Sequence, residues 1–182
     1  EAGLKYVLYG SVASGLMIYG ISLIYGMTGS LHLGAVAERL AVSGASEIGL
    51  IVAGILVFAG FAYKMAAFPM HLWAPDVYEG APTPVTAFLS VGSKVAGFVL
   101  ILRILLLVVA GAFSTQLVAL FALIAGLTLL YGNLAAIPQV NIKRLMGYSS
   151  IGHAGYLLMG VVAIIAMQGA GKDTSTGLTA IL

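Results

Sequence analysis

The sequence predicts an all-α protein, a polytopic bundle of transmembrane helices. Of its 182 residues, 61% are hydrophobic and only 8% are charged, whereas soluble domains carry about a quarter charged residues. The apolar residues fall into stretches of about 20 or more, the length at which a helix crosses a hydrocarbon core of ~30 Å. A soluble domain could not bury this much apolar surface, so lipid is expected to cover it.

Composition also excludes several classes of function. The net charge is only +2 and the basic residues do not cluster, so no nucleic-acid partner is expected. The absence of cysteine rules out disulfides, thiolate-bound iron–sulfur clusters and cysteine-based zinc sites. No glycine-rich nucleotide loop with a preceding strand is present. The chain itself is therefore expected to bind no cofactor and no metal.

The first span is predicted from about 6 to 31, because this stretch holds no charged residue. Lys5 stands at its start, where it is either a lysine that extends to the membrane interface or a functional group. The polar stretch 32–47 follows. It is expected to form an aqueous loop that contains at most one short surface helix.

The second span is predicted from about 48 to 73 and carries Lys64 in its interior, too deep to reach either interface easily. Pro69 lacks the N–H that bonds four residues back, so it is expected to break the helix and free the carbonyl of Met65. Free carbonyls at a helix C-terminus favour a cation. Irregular backbone at membrane depth survives only where protein or water covers it. Lys64 is therefore predicted to face a hydrated interior.

A lysine in such a place can exchange protons. Desolvation lowers the pKa of lysine from about 10.4, whereas water and carbonyl groups favour the charged form. Lys64, balanced between these effects, is the first candidate for proton transfer. His71 could relay protons or simply hydrogen-bond a loop carbonyl. Trp73 is expected at the membrane interface, and Asp76 and Glu79 are expected to face water in a loop.

The third span is predicted from about 83 to 110. In its opening sequence, APTPV, Thr83 can cap the helix and Pro84 can be its first residue. Lys94 lies roughly three turns into the span, among small and hydroxylated residues that leave room for water. An ionisable side chain at this depth is costly and indicates function. Arg103, near the far end, is expected to anchor the helix or to pair with an acid.

Two further spans follow, at about 116–137 and 145–168, and a truncated sixth begins near 176. The first half of the fifth span reads GYSSIGHAGY, in which Ser149 and His153 share one helix face. This group could form a hydrogen-bonded water wire or could bind a neighbouring helix. The sequence leaves both readings open.

The stretch YKMAAFPMHLWAPDVYEGAPTPVTAFLSVGSK carries a resemblance to a known family. Together with EAGLKYVLYGSVASG near the start and NIKRLMGYSSIGHAGYLL near the end, it resembles the antiporter-like membrane subunits of the proton-pumping NADH–quinone oxidoreductase, complex I, and their N type (subunit 2 in mitochondria) most. The resemblance covers essentially the whole chain. Cation/proton antiporter subunits and membrane-bound hydrogenases share the same framework more loosely.

This resemblance implies a fourteen-helix fold with two inverted five-helix repeats, each containing a broken helix. Residues 1–112 would complete the first repeat and residues 113–182 would begin the second. Lys64 and Lys94 would be proton-channel residues, and Lys5 would match a family lysine. The acidic partner of Lys64 would lie on a preceding helix outside this sequence.

The implied function is proton translocation coupled to electron transfer from NADH to quinone. NADH, FMN, iron–sulfur clusters and quinone would be used by the wider complex, and none would bind this chain. The expected partners are other membrane subunits, including neighbouring antiporter-like subunits, and the lipid bilayer. A bacterial cytoplasmic (inner) membrane is the expected location, with the mitochondrial inner membrane as the second possibility.

The alternative is a subunit of a multisubunit Na⁺/H⁺ antiporter or of a membrane-bound hydrogenase. Antiport should require carboxylates that hold Na⁺ at membrane depth. Every Asp and Glu of this sequence falls in a predicted loop or at a span edge. Within this chain, that distribution favours proton pumping.

Overall fold

A computed structural model describes residues 1–42, 47–108 and 114–169, and these ranges form seven α-helices joined by short connections. The helices are α1 (Ala2–Thr28), α2 (Leu33–Val42), α3 (Glu47–Met65), α4 (Trp73–Gly80), α5 (Thr83–Val108), α6 (Ser114–Ala136) and α7 (Ile142–Gly169). Within the described ranges five of them, α1, α3, α5, α6 and α7, are long and apolar enough to cross a membrane. The predicted all-helical, multi-pass architecture is confirmed.

The end of α1 is fixed by its own turn and by α2. Gly29 takes the left-handed conformation (φ 63°), and its N–H donates to the carbonyl of Tyr25 at 2.6 Å, as in a common helix C-terminus. Arg39 of α2 donates to the carbonyl of Thr28 at 2.5 Å. The stretch predicted as a loop with at most one short helix therefore contains the helix α2, which binds the end of α1 through Arg39. The predicted sixth span, from about 176, lies outside the described residues.

The break after α3 comes earlier than the proline predicts. α3 ends at Met65, and Ala66 takes a left-handed conformation with φ 56°. The N–H of Ala66 donates to the Tyr63 carbonyl at 3.1 Å, and the next N–H bonds back to the Ala62 carbonyl at 2.8 Å. This pattern is a Schellman motif, which terminates a helix by itself. Pro69 lies in the irregular segment that follows, so the prediction of one span continuing to residue 73 is wrong.

The segment after the break is a helix, α4, and not the predicted loop. Trp73 is buried, where an interfacial position is expected, and its Nε1 donates to the Tyr63 carbonyl at 3.1 Å. The ring of Tyr6 lies edge-on to Trp73 at 5.3 Å. Prolines and acids in PDVYEGAP are typical of loops, but Pro75 falls in the first turn of α4, where its missing N–H costs nothing.

α5 begins at Thr83 as predicted, but its cap is one residue earlier. The carbonyl of Pro82 accepts the N–H of Thr86 at 3.0 Å, so Pro82 occupies the cap position and Thr83 is already helical. The hydroxyl of Thr86 also donates to the backbone carbonyl of Tyr78 at 3.4 Å. This contact joins the end of α4 to the start of α5.

Two buried clusters hold the helices together. The first lies among α3, α5, α6 and α7, and its largest members include Phe61, Met65, Phe98, Ile101, Phe121 and Leu158. The second is rich in aromatic side chains and joins α1, α3, α4, α5 and α7; its members include Ala13, Tyr63, Trp73, Tyr78, Leu89 and Ile151. The outward faces of the spanning helices carry large apolar side chains, as a lipid-covered surface requires.

Candidate functional site

Lys94 is buried where three helices meet. Only 5% of this residue is exposed. Its Nζ donates to both the hydroxyl and the backbone carbonyl of Ser150 on α7. The hydroxyl of Tyr78 on α4 lies 3.3 Å from the Ser150 hydroxyl oxygen. Protein oxygens thus offset part of the cost of placing an ammonium group inside the bundle.

Lys64 lies at a different junction, formed by α1, α3 and α5. Its side chain is exposed in this chain and lines a cavity of about 310 Å³ at the junction of α1, α3 and α5, together with Gly92 and Ser93. It also lines a second cavity of about 320 Å³, to which α1 contributes Ser11 and Ser14. The first cavity is lined mainly by apolar side chains such as Met17, Phe61 and Phe88, and hydroxyl groups of α1 border the second. A hydrated surrounding of Lys64 therefore stays a prediction.

The two lysines nevertheless lie on helices that pack closely against each other. The hydroxyl of Ser93 donates to the backbone carbonyl of Lys64 at 3.4 Å. A Cβ added to Gly97 would lie 3.3 Å from the Lys64 Cβ. The small residues beside Lys94 are expected to leave room for water. Two of them, Ser93 and Gly97, instead allow α5 to pack against the end of α3.

His71 lies in the irregular segment between α3 and α4 and is only 2% exposed. Neither of its ring nitrogens has a hydrogen-bond partner among the described residues, so the alternative of a bond to a loop carbonyl is not found there. The ring stacks on Phe68 at 5.6 Å and meets Tyr131 edge-on at 4.1 Å. A buried polar group without partners is rare and is a candidate for function.

Thr128 of α6 holds the backbone of the break. The N–H of Phe68 donates to the Thr128 hydroxyl oxygen at 3.1 Å, and that hydroxyl donates to the Ile124 carbonyl at 2.6 Å. The sequence gives no sign of this contact, because a threonine in an apolar helix is ordinarily explained by the bond to its own helix. Through Thr128, α6 fixes the segment that carries His71.

An ion-pair cluster joins α1, α4 and α7 at one end of the bundle. Lys5 contacts Asp76 at 2.6 Å, and Arg144 contacts Asp76 at 2.8 Å and Glu79 at 2.9 Å. Lys5 is thus ion-paired. Asp76 and Glu79 are expected to face water in a loop; they lie on the helix α4 and are ion-paired, and both side chains remain partly exposed. Lys5 also contacts Glu1 at 2.9 Å.

This cluster predicts a pH-dependent contribution of Asp76 to stability. α4 lies outside the five spanning helices, and the hydrogen bond from Lys5, with the charge of Arg144, lowers the pKa of Asp76. Stability from a lowered pKa is complete above the unfolded pKa of about 3.9 and is lost as pH falls through the folded pKa. Asp76→Asn should therefore lower the melting temperature of the full-length subunit in detergent at pH 7, by about 1–3 °C.

The difference from the parent should shrink below about pH 4. Glu38→Gln, at an exposed carboxylate of α2, is the control and should leave the melting temperature unchanged. A difference between Asp76→Asn and the parent that is equally large at pH 7 and pH 3.5 would show that the pairing does not supply this stability.

The polar stretch at the start of α7 is divided between two faces. Ser150 faces Lys94, whereas His153 is exposed and its Nδ1 lies 2.8 Å from the Ser149 carbonyl of the same helix. Residue spacing alone could not distinguish Ser150 from Ser149 as the serine that meets Lys94. In the part of the chain that the structure describes, no three His, Cys, Asp or Glu side chains gather as metal ligands.

Comparison with known proteins places the chain in a family. Residues 1–173 match the family described as NADH:quinone oxidoreductase/Mrp antiporter, TM. NADH-quinone oxidoreductase subunit N of Myxococcus xanthus (strain DK1622) is 53% identical over 165 residues, which are 90% of this chain and 32% of that protein. The chain thus spans about a third of the length of this relative.

Two solved membrane assemblies contain chains of the same fold. One is respiratory complex I from Thermus thermophilus with bound aureothin, in which the matching chain is 35% identical with a TM-score of 0.73, over 94% of this chain and 39% of that one. The other is the Mrp complex from Dietzia sp. DQ12-45-1b, at 26% identity and a TM-score of 0.78, over 88% of this chain and 29% of that one. This integral, multi-pass membrane chain therefore belongs to the NADH:quinone oxidoreductase/Mrp antiporter transmembrane family.

Proposed function

We propose that the chain is part of a proton-translocating membrane subunit of an NADH–quinone oxidoreductase, equivalent to subunit N. The observation that carries this proposal is the buried amine of Lys94, held by oxygens of Ser150 inside a membrane-spanning helix. A buried ionisable group in a spanning helix indicates an ion or proton pathway. The 53% identity to a subunit N supports the choice of enzyme.

In this proposal Lys64 and Lys94 carry the proton in turn. Lys64 lies one residue before the end of α3, where the helix dipole is negative and favours a bound cation. Its proton passes through water in the adjoining cavity to α5 and on to Lys94. Moving one charge against 100 mV costs about 2.3 kcal/mol, which electron transfer from NADH to quinone elsewhere in the complex supplies.

Four further positions support the pathway in this proposal. Pro69 and His71 lie in the irregular segment after α3, Lys5 holds α4 through Asp76, and His153 lies on the exposed face of α7. Among these, His71 has the strongest support, because a buried ring whose two nitrogens have no hydrogen-bond partner among the described residues is a candidate for function.

The wider assembly follows from the same proposal. Residues 1–112 complete the first inverted repeat and residues 113–182 open the second. Other membrane subunits, including antiporter-like ones, are the partners, and the location is a bacterial cytoplasmic membrane. NADH, FMN, iron–sulfur clusters and quinone belong to the complex as a whole.

A subunit of a cation/proton antiporter is the second candidate, and the fold similarity to the Mrp complex supports it. Sodium ions prefer oxygen ligands such as carboxylates. In the described spanning helices the only carboxylate is that of Glu47, the first residue of α3. This arrangement favours a proton over Na⁺ as the transported ion in this part of the subunit.

Lys64→Ala in the full-length subunit tests the proposal. The Lys64 side chain is exposed and does not belong to either buried cluster, so the complex should assemble. Proton pumping in membrane vesicles should fall about tenfold or more. Arg103→Ala, at an exposed cation of α5, is the matched control and should pump like the parent. An unchanged ratio of protons pumped to NADH oxidised, at an unchanged rate, would reject Lys64 as a proton carrier.

A further inference from the structure

We propose that Ser150 and Tyr78 are the proton-transfer partners of Lys94 and form a hydroxyl pair that carries its proton toward α4. The inference rests on the proposed function and adds two residues to it. Both residues lie on helices other than that of Lys94, so the pair links α5 to α7 and α4.

The contacts at Lys94 have the geometry of a relay. A serine hydroxyl has one proton to donate and two lone pairs to accept. The Ser150 hydroxyl accepts from the Lys94 Nζ and lies 3.3 Å from the Tyr78 hydroxyl, so it can donate its own proton onward. The Ser150 carbonyl also accepts from the Nζ, which keeps the amine on Ser150.

The two ends of the relay, Lys94 and Tyr78, are buried, which supports a functional contact between them through Ser150. Lys94 is 5% exposed and Tyr78 is 1% exposed, so lipid reaches neither group. A buried tyrosine hydroxyl normally finds a hydrogen-bond partner, and the partner that Tyr78 finds in the described residues is the serine that already binds the lysine.

The proton transfer balances at each atom. An N–H bond of the Lys94 ammonium breaks and an O–H bond forms at Ser150, while the Ser150 proton moves to the Tyr78 oxygen. Tyr78 releases its own proton to a water molecule, which is the final acceptor. Each hydroxyl gains one proton and loses one, and Lys94 is left as a neutral amine. The reverse sequence reloads the lysine.

The position of Tyr78 gives this relay a direction. Its helix, α4, also carries Asp76 and Glu79, which belong to the ion-pair cluster with Arg144. The side chain of Glu79 is 40% exposed, so the cluster is less buried than Lys94 and Tyr78. Tyr78 thus shares a short helix with two carboxylates of the ion-pair cluster, and in this proposal the proton leaves toward that cluster.

Tyr78→Phe and Ser150→Ala, each in the full-length subunit of the assembled complex, test the relay. Tyr78→Phe removes one oxygen and keeps the packed ring, so assembly should be normal while pumping falls about tenfold or more. Ser150→Ala should do the same, and Ser150→Thr, which keeps a hydroxyl, should restore most of the rate. Tyr19→Phe and Ser22→Ala are the controls, because Tyr19 is exposed and the Ser22 hydroxyl bonds to its own helix.

A second measurement separates proton transfer from packing. When a relay hydroxyl is lost, proton transfer should limit the rate, so the ratio of pumping rates in H₂O and D₂O should be larger in Tyr78→Phe than in the parent. A purely structural loss lowers the amount of active complex and leaves this ratio unchanged, which would overturn the relay.

Lys94→Ala shows whether a failure concerns the relay through Ser150 and Tyr78 or the proposed role of Lys94 itself. If Lys94→Ala stops pumping while Tyr78→Phe and Ser150→Ala pump like the parent, the relay is rejected and the proposed function stands. If only Ser150→Ala loses activity, Ser150 merely positions Lys94 and the relay through Tyr78 is overturned. If Lys94→Ala pumps like the parent, the proposed role of Lys94 itself fails.

Discussion

Lys94→Arg is expected to stop most proton pumping in the assembled complex. Arginine keeps the positive charge but cannot release its proton at accessible pH. The buried site adds a second difficulty, because the planar guanidinium must fit where the compact ammonium contacts Ser150. We expect the rate of pumping in membrane vesicles to fall by about 100-fold or more.

Lys143→Arg is the control for this substitution. Lys143 lies at the start of α7, and its Nζ donates to the backbone carbonyl of Ala81 at 3.1 Å, a bond that arginine can replace. Lys143→Arg should therefore pump like the parent. Turnover of the parent's magnitude in Lys94→Arg would mean that the site needs only a positive charge, and that Lys94 does not give up its proton.

The spanning helices can be predicted from the sequence because lipid restricts the backbone conformations that an apolar segment can adopt. In lipid, backbone N–H and C=O groups must bond within the segment, so an apolar stretch of sufficient length becomes a helix. In the described residues α1, α5 and α7 begin at residues 2, 83 and 142, where the sequence predicts spans from about 6, 83 and 145. The helix α4 does not follow from the sequence, because its prolines and acids are typical of a loop, whereas burial of Trp73 and Tyr78 favours a helix there.

The site was only half predictable. Lys64 and Lys94 stand out because an isolated charge in an apolar span is costly wherever it points. The partners of Lys94 could not be found in this way, because Ser150 is 56 residues away in the sequence and Tyr78 meets Ser150 across 72 residues. Periodicity shows which residues share a helix face but not which helix lies opposite. The left-handed Ala66 was also hidden, since glycine usually marks such a turn.

Contacts from α6 and α7 hold both halves of the candidate site. Thr128 of α6 binds the backbone of the segment after α3, and Ser150 of α7 binds Lys94. The packing of α6 against α7 therefore decides whether these two contacts can form together. This dependence makes the closest approach of the two helices a sensitive point.

Gly132→Ala is expected to prevent assembly of the full-length subunit. A Cβ at Gly132 would lie 2.6 Å from the backbone N of Gly152 and 3.0 Å from its Cα, far closer than atoms can pack. Backbone cannot rotate aside as a side chain does, so α7 must move away from α6. That movement would also carry Ser150, two residues before Gly152, away from Lys94. We expect the amount of assembled complex in membranes to fall about tenfold or more.

Gly126→Ala provides the control on the same helix. Among the described residues, no heavy atom outside the local helix backbone lies within 4 Å of a Cβ placed there, and alanine is favoured over glycine in a helix by about 1 kcal/mol. This variant should assemble at least as well as the parent, as judged by the amount of complex on native gels. The two variants make the same chemical change, so a difference between them isolates the contact with Gly152. Equal assembly of both would mean that α6 and α7 can separate without loss, and that the bundle does not depend on this close approach.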